Sequence, residues 1–305
     1  MQRVIISILI FLTPLYVNGQ LYTMSDYYVQ DALAINPSYA GSQDALSISV
    51  FDRFSWIGFE GSPKTMSLSI HAPMDNERVG LGLFLVNDMI GVTSETRIVG
   101  NYAFRMNVGY GKLAFGLGAG IILQKINWTK LAAQDAGDEL LADNSASGVM
   151  PNFSLGVYYS TSKYFVGLSL PMFLSREFDA GKGRYAVKNN ISEYNYFFNA
   201  GYDLDLDRNF RLLPAILVKY HKGDAMQIDI GSRVMFKNRF SLGTFYRSKN
   251  IMVGTIQCKV NDQLRFAYSY DFMVGNRIQY KYNSHEIMLN YIFDYHTNVT
   301  GPRQF

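Results

Sequence analysis

Gly116, Gly118 and Gly120 are the first residues whose type and spacing suggest chemistry, since glycine-rich loops can cradle a phosphate before a helix. Here the glycines alternate with apolar residues inside one stretch, 112–125, and no helical pattern follows them. Glycines at every second position of a strand instead leave one face of the strand without side chains, which suits a place where the sheet curves or another segment packs closely. The pattern therefore favours a structural role over nucleotide binding.

The other side chains that could support chemistry do not form a recognisable site. Four acidic residues share one predicted loop: Asp135, Asp138, Glu139 and Asp143. Carboxylates bind calcium, but this spacing lacks ligands at alternate positions, so a solvated acidic loop is favoured. The histidines are far apart and belong to no motif: His71, His221, His285 and His296. The single cysteine, Cys258, permits no intramolecular disulfide and no thiol-based metal cluster. The sequence predicts no enzyme activity, cofactor or metal site.

Long stretches with an apolar residue at every second position predict the elements that carry these residues. In the clearest example, Phe266 and Tyr268 alternate with the small or polar residues Arg265, Ala267 and Ser269. A period of two indicates a strand with one apolar and one polar face. These strands run to about ten residues, and a tilted strand needs about 9–11 to cross a bilayer. Phe266 is therefore expected to face lipid, and Ala267 to tolerate an arginine better if the lumen holds water.

Fourteen such strands are predicted, which makes the fold class all-β, a transmembrane antiparallel β-barrel. Their predicted bounds are 45–55, 64–72, 79–87, 94–106, 112–125, 152–160, 163–173, 191–206, 210–220, 225–236, 239–247, 251–260, 263–272 and 286–296. Connections after even-numbered strands are short, and the longest connections follow odd-numbered strands: 126–151, 174–190 and 273–285. Short periplasmic turns and long external loops are typical of outer-membrane barrels. This parity predicts that both termini are periplasmic.

The chain before the barrel divides into two predicted segments. Residues 1–19 resemble a secretory signal peptide, with Arg3 before an apolar run and a cut expected before Gln20. Residues 20–44 form a lead-in in which 31–35 could make one helical turn that Pro37 ends. The lead-in is expected either in the barrel mouth or on the periplasmic rim. Residues 45–305 form the barrel.

Composition agrees with a barrel and gives no sign of nucleic-acid binding. The chain has 22 tyrosines and 21 phenylalanines against two tryptophans, which suits aromatic girdles at the two membrane interfaces. The net charge of +3 comes from scattered lysines and arginines rather than a basic patch.

Two blocks near the start of the barrel resemble the N-terminal signature of the PorP/SprF family. Residues 31–42 read DALAINPSYAGS, and residues 53–65 read RFSWIGFEGSPKT. Further blocks at 80–84, 87–91, 101–104 and 113–118 resemble the next family blocks in order. The similarity covers nearly the whole mature chain and is sharpest over 31–123. Ser55 departs from the pattern, since the family commonly has glutamine before the tryptophan.

The resemblance implies an outer-membrane component of the type IX secretion system of Gram-negative bacteria. Members work with a dedicated large secreted protein, adhesin-like and carrying a C-terminal sorting domain, and with other components of the system. They are needed for export or surface attachment of that partner, and in some bacteria the system supports gliding motility. The membrane partner implied is outer-membrane lipid, and no cofactor is implied.

The residues of the family signature have two interpretations. Asn36, Pro37, Tyr39 and Gly41 either fix the lead-in against the barrel wall or form part of a periplasmic docking surface. A second set lies at the end of the first strand and in the hairpin after it: Arg53, Trp56 and Gly58. Tryptophan favours the headgroup zone, so Trp56 could equally be an interfacial residue.

The barrel is too small to carry a folded adhesin domain, because barrel diameter grows with strand number. The sequence therefore favours a role in holding cargo that emerges elsewhere. A passive porin or small-solute uptake channel is the alternative, because it would share every feature of the barrel.

Overall fold

The computed structural model describes residues 25–74, 77–127, 146–173, 175–179, 184–188, 191, 194–222, 224–248, 250–275 and 283–293. The predicted signal peptide and the acidic residues 135, 138, 139 and 143 lie outside this part of the chain. Among the described residues, no helix is long and apolar enough to cross a membrane.

In the described part of the chain, seventeen strands alternate with turns and loops, because apolar and polar residues alternate along them. In chain order they are β1 Leu46–Phe54, β2 Lys64–Pro73, β3 Val79–Ile90, β4 Thr93–Val108, β5 Gly111–Ile126, β6 Ala146–Ser160, β7 Tyr164–Leu170, β8 Ser175–Asp179, β9 Arg184–Lys188, β10 Tyr196–Tyr202, β11 Leu204–Asp205, β12 Phe210–Tyr220, β13 Gln227–Phe236, β14 Phe240–Arg247, β15 Ile251–Lys259, β16 Leu264–Met273 and β17 Ser284–Phe293.

Fifteen of these strands form one closed antiparallel sheet. From β1 to β7 and from β12 to β17, consecutive strands pair with each other, and β1 pairs with β17. Between these two runs, β10 pairs with both β7 and β12. β11 continues β10 after Asp203 and also pairs with β12, so the two act as one wall strand. When β10 and β11 are counted as one strand, the sheet is a barrel of fourteen strands, which confirms the predicted architecture and number.

The connections divide the barrel into two ends. The turn end carries the connections 74–78, 109–110, 161–163, 206–209, 237–239 and 260–263. The loop end carries the longest connections, 55–63, 127–145, 171–195 and 274–283, although β3 and β4 are joined there by residues 91–92 alone. Which end faces the cell exterior stays a prediction.

The two faces of the wall follow the predicted alternation. Phe266 is 40% exposed on the outer face, whereas its neighbour Ala267 is fully buried on the inner face. Ala267 packs in one buried cluster with Tyr27, Phe51 and Met288. The lumen is therefore filled by protein at Ala267, and the expectation of an easy arginine there does not apply.

The segment that fills the lumen comes from the start of the described chain. It contains two single-turn 3₁₀ helices, Ala32–Ala34 and Pro37–Tyr39. The first matches the predicted turn at 31–35. Pro37 does not only end that turn, because it also begins the second helix, where its fixed φ and missing N–H are tolerated.

The predicted strands differ most from the structure at three places. The sixth wall strand begins at Ala146 instead of 152, because β6 pairs with β5 along fifteen residues. The predicted loop 174–190 contains the hairpin β8–β9, which forms its own two-stranded sheet. The eighth wall strand begins at Tyr196 rather than 191 and is interrupted at Asp203.

Candidate functional site: the luminal segment

Residues 25–44, here called the luminal segment, run through the barrel from near the loop end to the turn end. Ser25 donates a hydrogen bond to Glu286, close to the start of β17 at the loop end. At the other end of the segment, Asp44 contacts Arg105 and Lys112 beside the turn between β4 and β5. The described chain thus starts near the loop end, whereas its last residue, Phe293, pairs with Leu46 at the turn end.

Asn36 joins the luminal segment to the main chain of the wall. Its side-chain oxygen accepts a hydrogen bond from the Ser38 N–H at 3.1 Å and so caps the helix Pro37–Tyr39. Its Nδ2 donates to the Val157 carbonyl at 3.1 Å and the Leu168 carbonyl at 3.4 Å. The side chain is fully buried, and all its hydrogen-bonding groups are used.

Glycines in the wall make this approach possible. A Cβ at Gly156 would overlap the side-chain oxygen of Asn36, and one at Gly167 would lie 3.0 Å from Nδ2. A Cβ at Gly116 would lie 2.5 Å from the Pro37 carbonyl carbon and would overlap the main chain of Ser38. Gly116 thus has the structural role that the period predicted, which is close packing against another segment. A Cβ at Gly118 would instead overlap Ser154 Oγ, and one at Gly120 would overlap the Ile98 carbonyl, both on neighbouring wall strands.

Tyr39 is buried inside the lumen between β2 and β6. Its hydroxyl donates to the Gln30 carbonyl at 2.9 Å and accepts from Gln43 Nε2 at 3.1 Å. Its ring packs edge-on against His71 and Tyr158, with centroids 5.2 and 5.5 Å away. Burial raises the pKa of Tyr39, helped by the nearby Asp31 carboxylate, so the hydroxyl stays neutral and keeps its proton.

Gly41 lies where the segment passes close to the wall. Its φ of +74° is in the left-handed region that favours glycine, and its N–H donates to His71 Nδ1 at 3.2 Å. A Cβ at Gly41 would lie 2.9 Å from the Cα of Gly80. Both backbone conformation and space therefore require glycine at this position.

Arg53 holds the start of the segment through buried ion pairs. Its Nη1 lies 3.0 Å from Glu286 and also contacts Asp26, and its Nη2 contacts Asp271. Arg247 adds bonds from Nη2 to Asp26 at 2.7 Å, from Nη1 to Asp271 at 3.1 Å and from Nε to Asp229 at 3.0 Å. These six residues, here called the ion network, join five wall strands, β1, β13, β14, β16 and β17, to Asp26 of the luminal segment.

Asp26 is the member of the ion network that belongs to the luminal segment. Burial alone would raise its pKa, but the Arg53 and Arg247 guanidinium groups outweigh burial and hold the pKa well below its ordinary value. Ser269 donates a further hydrogen bond to Asp26 at 2.7 Å. The carboxylate is therefore charged and fully engaged with the wall.

Asp44 forms a second polar contact at the turn end. It contacts Arg105, and it accepts from Lys112 Nζ at 3.0 Å. Burial acts to raise the pKa of Asp44, but Arg105 and then Lys112 outweigh it and lower the pKa. The segment is thus anchored by ion pairs at both ends and by Asn36 and Tyr39 between them.

Trp56 and Gly58 lie apart from the other signature residues, in the connection between β1 and β2. Trp56 has a φ of +53°, and its N–H donates to Ser284 Oγ at 3.3 Å. Gly58 has a φ of +95°, and a Cβ there would meet no atom within 4 Å. The neighbouring Ile57 and Phe59 are each about half exposed. The signature therefore combines a lumen-packing set with a loop-end set.

The acidic members of the ion network were not identified as site residues from the sequence. Asp229, Asp271 and Glu286 each lie at an inward position of a strand with clear alternation. A charged residue at an inward position was the available signal. Choosing their partners required knowing that the luminal segment brings Asp26 among them.

This arrangement defines an integral membrane β-barrel whose lumen contains part of its own chain. In the described residues, no cluster of three or more His, Cys, Asp or Glu side chains could hold a metal ion.

Solved structures with similar folds include the CymD monoaromatic hydrocarbon channel, with 12% identity, TM-score 0.53, and coverage of 92% of this chain and 96% of the channel. Omp33 from Acinetobacter baumannii has 6% identity and TM-score 0.49, covering 83% of this chain and all of Omp33. No curated protein matches the sequence.

The chain belongs to the PorP/SprF family, whose model is described as type IX secretion system membrane protein and matches residues 17–291. This match confirms the resemblance inferred from the sequence blocks. The protein is therefore an outer-membrane barrel of type IX secretion. Family and fold are those of a secretion membrane barrel and not those of an enzyme class.

Proposed function

We propose that this barrel retains or helps to export one large secreted partner, adhesin-like and with a C-terminal sorting domain, after that partner has emerged through another component. The filling of the lumen by the luminal segment is the observation that carries the proposal. Asn36 and Tyr39 use their polar groups within the barrel, and Ser38 lies against the wall at Gly116. Moving an unfolded chain through this lumen would require breaking those contacts.

The loop end offers the surface for such a partner. The connection 55–63 carries the half-exposed side chains of Ile57 and Phe59, and its Trp56 and Ile57 N–H groups bond to residues 283–284. Exposed apolar residues on a polypeptide loop are suited to binding another protein, whose apolar groups they can cover. A supporting role in gliding motility belongs to the same proposal.

The alternative function is a passive channel for small solutes. A channel needs a continuous water path. The buried contacts of Tyr39, Asn36 and the ion network join the luminal segment to the wall at several positions along the barrel axis. These contacts favour retention of cargo over conduction. Measured conductance of the purified wild-type barrel in planar bilayers would support the channel instead.

The test compares the surface and culture-supernatant proteomes of the parent strain and a deletion strain. We expect one or a few large proteins to leave the surface, while the other substrates of the system are still secreted. A strain with Ile57→Ser and Phe59→Ser should assemble the barrel but release the same proteins into the medium. Met74→Ser is the matched control, because Met74 is also half exposed but lies at the turn end. Unchanged surface display in the deletion strain would reject the proposal.

A further inference from the structure

A small cavity at the turn end of the lumen is lined by cationic side chains without an acidic one. The cavity lies between β13, β14, β15 and β16. Its interior accommodates about one water-sized group. Its lining residues are Met235, Asn238, Arg239, Phe240, Ser241, Gln257, Lys259 and Arg265. Three of these carry a positive charge at neutral pH.

Two buried donors in this lining have no hydrogen-bond partner among the described residues. They are Nη2 of Arg265 and Oγ of Ser241, and each residue is only 4% exposed. Arg265 faces Lys259 across the β15–β16 pairing, and Ser241 faces Gln257 across the β14–β15 pairing. Donors from adjacent strands therefore meet at one cavity.

No carboxylate belongs to the described lining of the cavity. Arg233 donates from Nη1 to Gln257 at 3.0 Å, and its Nε and Nη2 have no partner among the described residues. Arg239 donates to the carbonyls of Lys259 and Val260. Lys259 pairs with Asp262, which is fully exposed and does not line the cavity. The acidic residues of the ion network lie instead toward the loop end.

Burying a guanidinium group whose donors lack partners is unfavourable unless an opposite charge or hydrogen-bond acceptors compensate. We propose that the cavity binds a small monovalent anion of halide size, held by Arg265 Nη2 and Ser241 Oγ. The exposed residues Asn238 and Arg239 lie at its outer side and provide access from the turn end. A space for about one water-sized group excludes phosphate and larger oxyanions.

The first experiment locates the anion. Crystals of the full-length barrel grown or soaked in bromide should show an anomalous peak within hydrogen-bond distance of Arg265 Nη2 and Ser241 Oγ. Soaking in acetate, which has four heavy atoms, should leave the bromide in place, and displacement of the bromide by acetate would overturn the assignment to an anion of halide size. No bromide peak in the cavity would overturn the proposal, and so would ordered water there in the presence of bromide.

The second experiment measures whether the site acts in solution. At matched ionic strength, chloride should raise the apparent unfolding temperature above that in gluconate by about 2 °C or more, because a ligand bound only to the folded state stabilises it. Arg265→Gln should abolish the difference, whereas Arg208→Gln, the same charge change at an exposed turn-end residue, should keep it. If Arg265→Gln does not fold, Ser241→Ala keeps the charge and should reduce the chloride effect. An equal chloride effect in the wild type and both site variants would refute the site.

Discussion

The main chain of Ser38 occupies the space that a side chain on Gly116 would need. Ser38 belongs to the luminal segment and Gly116 to β5, so the position of the luminal segment restricts which residue β5 can have at 116. Both lie within the region where the family blocks are most evident, 31–42 and 113–118. The signature can therefore reflect, at these positions, the packing of the lumen as well as any contact with a partner.

Gly116→Ala should destabilise the barrel by about 1–3 kcal/mol, because the methyl group displaces the helix Pro37–Tyr39 from the wall. Gly100→Ala is the matched control, since Gly100 is exposed on the outer face and a Cβ there would meet only the Ala119 carbonyl at 3.7 Å. Urea unfolding in detergent micelles gives both values. Equal changes in the free energy of unfolding for the two substitutions would mean that the main chain of Ser38 moves away from the added methyl group at little cost.

Arg53→Met should cost about 3–5 kcal/mol, because it leaves Asp26, Asp271 and Glu286 buried with less opposing charge. Arg208→Met, at an exposed turn-end position, should change stability by less than about 0.5 kcal/mol. Adding Asp26→Asn to Arg53→Met should cost less than the sum of the single effects, because the residues contact each other. Strict additivity in unfolding experiments would argue against a coupled network.

Acid should loosen the luminal segment through Asp26 and Asp44. Arg53 and Arg247 lower the pKa of Asp26 despite its burial, and Arg105 and Lys112 do the same for Asp44. A depressed carboxyl pKa stabilises the folded state above the unfolded pKa, near 4. The contribution is lost as the pH falls from there through the folded pKa.

Hydrogen exchange of residues 25–44 should therefore show no change from these two groups between about pH 5 and 8 and weaker protection below about pH 4, after correction for intrinsic exchange. Asp44→Asn should weaken protection near the turn end at neutral pH and reduce its dependence on acid there. A loss of protection at the turn end that began above pH 6 and persisted in Asp44→Asn would point to other groups.

The architecture was predictable from sequence because each wall strand must present apolar groups to lipid. Phe266 and its alternating neighbours show that requirement locally, and counting such stretches along the chain gave the number of strands, which the connection lengths then supported. The hairpin β8–β9 was missed because it pairs only with itself and lies within a predicted loop. The early start of β6 was missed because the register with β5, not alternation alone, extends it.

The interior of the barrel was less predictable because its contacts join residues far apart in sequence. Arg53 on β1 meets Glu286 on β17 across the pairing that closes the barrel. Gly116 did indicate close packing, but it could not indicate Pro37 and Ser38 as the packed residues. Such pairings depend on barrel closure, which local patterns do not encode.

Arginine should be poorly tolerated on both faces of β16. Phe266→Arg places a charge in lipid and should cost about 2–4 kcal/mol near the bilayer midplane. Ala267→Arg should also be costly, because Ala267 is fully buried against Tyr27, Phe51 and Met288. Folding into lipid vesicles measures both. A low cost for Ala267→Arg would mean that the luminal segment moves aside and water enters.

Cysteine labelling on intact cells should establish which end of the barrel faces outward. The parity of connection lengths predicts an external loop end, and Ile57 at that end and Asn209 at the turn end are both exposed. In a Cys258→Ala background, Ile57→Cys should react with a membrane-impermeant maleimide, whereas Asn209→Cys should react only after the outer membrane is permeabilised. The long-loop positions Ser145, Lys182 and Asn276, which lie outside the described residues, should label like Ile57. Labelling at Asn209 alone would reverse the orientation and place the surface around Ile57 and Phe59 in the periplasm.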